Sequence, residues 1–426
     1  MLMRICLVPD SFNAAPKPRP SLCRPKIHCI RRHSTDHHSL FTQTAFAMDP
    51  PPTNSVSRRR FIGSLSLLAG SAPFFSFADI PHHHINPFTM NTTNTLLADV
   101  QPPITVVDFA TDPHLDPEVR TFLKGLNNGG PGLETLTAVQ ARQVLVDAQA
   151  SVDVDLSGIE VTQRTIEQDG FSVPLHIVRP SGTAATVLPV FMFIHGGGWV
   201  LGDFPTHQRI VRDLVVASGF AAVFVNYTRT PDAAFPTAIN QIYAATKWVA
   251  AHGAEITVDG QNMAVVGNSV GGNMTAVTCL QAKEKGGPHI KLQIMMWPIV
   301  DADFTTESYQ RFGADRFLTT PAMKWMYDMY IKDPKKRTDP HASPLRATLA
   351  QLQGLPPALI QVAENDVLRD EGEAYGRKLR EAGVPATCIR YNGVIHDFGL
   401  LNGLARVPAT RSLFLHAAAQ LKQYLG

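Results

Sequence analysis

The chain has 426 residues, 44% of them hydrophobic, which is ample for one large α/β domain or two smaller ones around a buried core. A formal charge of +2, with many of the arginines in the first sixty residues, leaves no basic surplus, so nucleic-acid binding has no support. Cys6, Cys23 and Cys29 fall in the N-terminal extension, while Cys279 and Cys388 stand alone in apolar settings and read as buried thiols rather than a disulfide.

Residues 1–47 are rich in Pro, Arg, His and Ser without periodicity and read as a disordered extension, with Met48 the more natural start. The run Ser57-Arg58-Arg59-Arg60-Phe61-Ile62 matches a twin-arginine export signal. It is followed by an apolar stretch, Leu65 to Ala72, and a small-x-small cleavage site, Ser76-Phe77-Ala78. On this reading 48–78 is a signal peptide, the mature chain begins near Asp79, and the protein is exported to the periplasm. The alternative is a basic leader on a cytoplasmic protein. Residues 79–105 read as a linker, whose His82-His83-His84 run has no partner cluster at metal-ligand spacing.

The folded region is expected over 106–426. Asp116 can cap a helix through Leu126, and Thr137 to Ala148 gives a second. Ile159 to Glu167 and Val173 to Val178 read as a hairpin turning at Asp169-Gly170. Apolar strand-like runs follow at Leu188 to Ile194, Ala221 to Asn226, Met263 to Val266, Leu292 to Trp297, Ala358 to Val362 and Ala386 to Tyr391. Helix-period segments alternate with them at Thr206 to Ser218, Pro236 to His252, Gly272 to Lys285, Glu371 to Ala382 and Ala409 to Tyr424. This rhythm predicts an α/β fold with a mostly parallel central sheet flanked by helices. Between Trp297 and Ala358, about sixty residues show no strand and many aromatics, among them Phe304, Phe312, Phe317 and Trp325. No apolar run after the signal reaches the roughly twenty residues that a membrane span requires.

Two motifs carry chemistry. Gly267-Asn268-Ser269-Val270-Gly271 joins an apolar run to a helix-like segment, the sequence form of a nucleophile elbow, in which flanking glycines remove the Cβ atoms that would clash in so tight a turn. About seventy residues upstream, His195-Gly196-Gly197-Gly198-Trp199 ends another apolar run. Backbone N–H groups of such a loop, with the N–H after the serine, can converge on a developing oxyanion. Glycine permits the close backbone approach, so the expected donors are Gly196, Gly197 and Val270.

The pair of motifs resembles the α/β hydrolases of the hormone-sensitive lipase family, bacterial esterases that carry HGGGW and GDSAGG. The likeness runs from about Asp108 to Gly426 and includes PALIQVAENDVLRDEGEAYGRKLREAGV and YNGVIHDFG. It implies a triad of Ser269, Asp366 and His396, in the chain order of this fold. Asp370 is a rival acid, read here as the cap of the helix beginning at Glu371; Glu364 belongs to the strand end. The chain departs from the family pattern at Asn268, where Asp is usual, and at Asp397, where Gly is common. The resemblance also implies a helical cap from two pieces, about 106–155 and 302–350. Trp199, Phe312 and Phe317 are the expected substrate-pocket residues, with Trp199 equally readable as packing under its loop. Asn226 to Pro236 resembles the family's DYRLAPE block and is assigned no chemistry.

These features imply a serine carboxylic-ester hydrolase acting on short to medium acyl esters. An amidase, lactonase or deacetylase of the same fold, or a catalytically silent ligand-binding relative, is the alternative. The expected partner is a small-molecule ester; a homodimer is permitted but not specified. No cofactor is expected, since no phosphate loop and no two-His-plus-carboxylate cluster occurs.

Overall fold

The computed structural model describes residues 104–426. The extension, the twin-arginine segment, the His82 to His84 run and nearly all of the 79–105 linker lie outside the described residues.

Two helices lead in, α1 (Pro117–Leu126) and α2 (Ala138–Ala150). Asp116 caps the first through its side chain, and Thr137 with Gln140 forms a capping box on the second. The chain then runs β1 (Ile159–Gln168), β2 (Phe171–Pro180), β3 (Leu188–Ile194), α3 (Phe204–Ser218), β4 (Ala221–Val225), α4 (Thr237–His252), β5 (Val258–Asn268) and α5 (Val270–Glu284). After β6 (Leu292–Met296) come α6 (Glu307–Phe312), α7 (Thr320–Tyr330) and the single turn α8 (Leu349–Leu352). The last elements are β7 (Ala358–Asn365), α9 (Arg369–Glu381), β8 (Ala386–Ile395) and α10 (Pro408–Leu425).

Among the described residues the strands form one eight-stranded sheet in the order β1-β2-β4-β3-β5-β6-β7-β8. β1 with β2, and β2 with β4, pair antiparallel; every pair from β4 to β8 is parallel. The hairpin, the alternation and the strand-free interval therefore stand where the apolar periodicity put them. β3, β4, β6 and most of β5 and β7 are buried on both faces, as expected of strands sandwiched between helix layers. On one face α4, α5 and α9 cover the cluster that includes Val190, Met192, Val265 and Ile360. On the other, α3 and α10 cover Phe191, Phe193, Val266 and Ile294.

Parallel strands share one carboxyl edge, and there β3 delivers His195, β5 delivers Ser269, β6 delivers Trp297, β7 delivers Asp366 and β8 delivers His396. The segments outside the sheet approach the same edge. Leu133–Thr135 packs on α7, Asn127 Nδ2 donates to the Asp315 carbonyl at 2.9 Å, and Arg316 pairs with Asp112 at 2.7 Å.

One helix start differs from expectation. α9 begins at Arg369, with no side-chain cap at Leu368, and Asp370 lies inside its first turn. Asp370 accepts the Ser308 N–H at 2.7 Å and pairs with Arg369, so it anchors α6 to α9 instead of capping α9.

Candidate active site

Ser269 stands between β5 and α5 with φ +56° and ψ −121°, a conformation that L-residues avoid and that tight neighbours enforce. A Cβ on Gly267 would meet the Gly271 carbonyl oxygen at 2.2 Å, and one on Gly271 would meet the Ile194 oxygen at 2.0 Å. The helix start is thus pressed against both its own strand and β3, which holds the serine hydroxyl above the sheet edge.

His396 Nε2 lies 3.0 Å from Ser269 Oγ, and His396 Nδ1 lies 2.8 Å from Asp366 Oδ2. All three side chains are buried. The other Asp366 oxygen accepts the Leu368 N–H at 3.0 Å, which fixes the carboxylate on its loop. Burial works against a charged imidazole. The Asp366 carboxylate, followed by Asp397, outweighs it, and His396 titrates above its ordinary value. Asp370 does not reach the histidine, and Glu364 is occupied with the Gly393 N–H at 2.8 Å.

The glycine-rich loop corrects one expectation. The Gly196 N–H donates to Asn268 Oδ1 at 3.0 Å, so it is already taken and does not point into the site. Among the described residues, the N–H groups of Gly197 and Gly198 meet no acceptor; nor does that of Val270, whose place at the first turn of α5 leaves it without an intrahelical partner. The loop is propped from below by the Asn226 to Pro236 segment. Tyr227 donates its hydroxyl to the His195 carbonyl at 3.0 Å and stacks on the His195 ring at 4.1 Å, and Arg229 donates to the Gly202 carbonyl at 2.6 Å. His195 itself is a packing residue: burial holds it well below the ordinary imidazole value, and its neighbour His207 is pushed down to about 4 by the same cause.

The three expected pocket residues separate. The Phe317 ring stacks beside His396 at 6.5 Å, on a backbone with φ +74°. Trp199 is buried under its loop, stacked on Tyr330 at 4.3 Å and edge-on to Tyr327. Phe312 is buried among the Arg311, Arg316 and Arg369 guanidiniums, at 5.1 to 5.6 Å from its ring. Trp199 and Phe312 are thus packed against these neighbours, and among the three it is Phe317 that stands beside His396. Trp297 is a neighbour that sequence reasoning passed over as a strand end. Its indole N–H donates to Asp397 at 2.7 Å, and its ring stands edge-on to His396.

Residues 191–400 match the family model described as the alpha/beta hydrolase fold. The chain is similar to an ethyl acetate hydrolase of Pseudomonas putida, 31% identical over 67% of this chain and 92% of that protein. It is also similar to an arylesterase of Saccharolobus solfataricus, 33% identical over 67% of this chain and 92% of that one. Among solved structures, a thermostable esterase from Pseudomonas putida is 57% identical, with a TM-score of 0.73 over 74% of this chain and 99% of that chain. With a parallel sheet that presents a serine elbow at its carboxyl edge, the chain belongs to the α/β hydrolases, in the hormone-sensitive lipase group.

Proposed function

We propose that the protein is a serine carboxylic-ester hydrolase in which Ser269 is the nucleophile, His396 the general base and acid, and Asp366 the carboxylate that orients the base. The observation that carries this reading is the unbroken chain of contacts, 2.8 Å from Asp366 to His396 and 3.0 Å from His396 to Ser269. An imidazole whose Nδ1 faces a carboxylate carries its proton there, which leaves Nε2 as the acceptor for the Ser269 hydroxyl proton. Ser269 then attacks the ester carbonyl, and the protonated His396 donates to the departing alkoxide. In the second half, His396 activates the water that releases the acyl group. The oxyanion is received by the N–H groups of Gly197, Gly198 and Val270, a role supported by their lack of an acceptor within the described residues.

The relatives named for ester hydrolysis favour this substrate class for the present chain. We further infer that 106–155 and 302–350 form a cap, supported by the Asn127 to Asp315 and Asp112 to Arg316 links between the two pieces and by Phe317 beside His396. A cap of this kind limits acyl length, so short and medium esters are the expected substrates. Export through the twin-arginine route remains our reading of Ser57 to Ala78. Among the described residues no helix is long and apolar enough to cross a membrane.

Ser269→Ala tests the core of the proposal. It should abolish hydrolysis of nitrophenyl butyrate while circular dichroism stays unchanged. Near-normal turnover by the folded variant would remove Ser269 from the mechanism.

A further inference from the structure

Asn268 and Asp397, the two positions at which the chain departs from the pattern it resembles, face each other beside the nucleophile. Asn268 Nδ2 donates to Asp397 Oδ1 at 3.3 Å, and Trp297 Nε1 donates to the same oxygen at 2.7 Å. Through its other amide atom, Asn268 accepts the Gly196 N–H at 3.0 Å. The second Asp397 oxygen lies 3.8 Å from His396 Nε2, the nitrogen opposite the one held by Asp366. Asp397 is 6% exposed and sits at φ +59°, a backbone strain that suits a functional position. Burial raises Asp397 above the ordinary carboxylate value, while the facing His396 and the hydrogen bonds that Trp297 and Asn268 donate to Oδ1 favour the ionised form.

We propose that Asp397 is a positioning residue that acts electrostatically: its carboxylate faces the Nε2 side of His396, stabilises the imidazolium formed as Ser269 gives up its proton, and through Asn268 couples that histidine to the Gly196 backbone. This rests on the triad reading above. The proton passes from Ser269 Oγ to His396 Nε2 and onward to the leaving alkoxide; Asp397, at 3.8 Å, takes no proton. The charged groups facing His396 are Asp366 from the loop after β7 and Asp397 from its own loop. The remaining neighbours, Ser269, Trp297 and Phe317, are neutral. Asp397 is faced by His396 and Asp366, and Glu371 lies beyond Asp366. The same charge that assists the imidazolium in the transition state also adds to the effect of Asp366 in retaining a proton on resting His396 to higher pH, so it contributes to the acid limb of activity.

Asp397→Asn keeps the shape and removes the charge. Its acid limb of kcat/KM for nitrophenyl butyrate should move down by at least about half a pH unit, with plateau kcat reduced about threefold or more. Ser269→Ala is run in parallel. Activity in that variant sinks the triad reading itself, whereas an inactive Ser269→Ala beside an unmoved limb in Asp397→Asn sinks the Asp397 proposal alone. A second comparison applies if Asp397→Asn fails to fold. Asn268→Asp crowds two carboxylates, and adding Asp397→Asn to it restores a single charge, so the double variant should exceed Asn268→Asp in kcat by about tenfold. Equal or lower activity in the double variant would overturn the coupling.

Discussion

Adding one methyl group at Gly271 should disable the enzyme without touching the triad. The new Cβ would stand 2.0 Å from the Ile194 carbonyl oxygen, where ordinary contact begins at 3.4 Å, so about 1.4 Å must be found. Backbone lies on both sides, and no flexible side chain can absorb the overlap: the helix start must move from β3, or β3 from the helix. Either movement shifts the Ser269 hydroxyl relative to the glycine-rich loop that follows Ile194. A displacement near 1 Å costs about 10²-fold in turnover, and overpacking of this kind costs about 1–3 kcal/mol of stability. Gly125→Ala is the control, since nothing lies within 4 Å of its Cβ and its φ is ordinary. In the last turn of α1 it should stabilise by about 0.5–1 kcal/mol. Nitrophenyl butyrate turnover and thermal unfolding read both variants. A Gly271→Ala enzyme with wild-type kcat and wild-type Tm would refute the view that close backbone contact sets the site.

Asp366→Asn should cut kcat by about 10³–10⁴-fold, whereas Asp370→Asn, which loses only the Ser308 and Arg369 contacts, should keep most activity; the reverse order in a turnover assay would exchange their roles. Glu371 is raised well above the ordinary carboxylate value, first by burial, so the stability it contributes is present below about pH 4.5 and is lost as pH rises. Glu371→Gln keeps an acceptor for the Val300 N–H, and its Tm advantage over wild type should therefore grow from pH 5 to pH 9; a constant difference in scanning calorimetry would contradict this. Nitrophenyl esters up to about eight carbons should outpace longer ones, and faster hydrolysis of emulsified long-chain triglyceride than of soluble butyrate would count against a restricting cap. Changing Arg58 and Arg59 to lysine preserves charge, yet should leave activity in the cytoplasm of a host with the twin-arginine route. Fractionation that finds unchanged export would show the segment to be only a basic leader.

Strands and helices were legible wherever burial demands continuous apolar runs, as at Leu188 to Ile194, or a 3.6 period, as at Thr206 to Ser218. Boundaries slipped where a cap lay outside the pattern: Asp203 with Thr206 starts α3 at Phe204. The relative placement of Ser269, Asp366 and His396 followed from their motifs, because each ends a strand of one parallel sheet. The destination of individual donors was not legible. Gly196 and Gly197 look alike in sequence, and only the approach of Asn268 from β5 distinguishes the spent N–H from the free one. Phe312 and Phe317 likewise sit five residues apart on one strand-free segment, and the turn that separates them decides that one packs among arginines while the other meets the histidine.

The ion pair between Arg316 and Asp112 constrains how the protein can be shortened. Its guanidinium, 3% exposed, also donates to the Val107 carbonyl and to Asn365, the residue before Asp366. Residues 191–400 contain every proposed catalytic group and Arg316 itself, but neither Asp112 nor Val107. A fragment cut to that span would leave a buried cation facing the acid loop with one of its three partners. Stranding one member of a buried pair costs about 3–5 kcal/mol, a large share of the roughly 5–15 kcal/mol that holds a domain together. The smallest portable unit therefore starts upstream of Val107, and the leading segment is as much a part of the folded body as the strands that carry Ser269, Asp366 and His396.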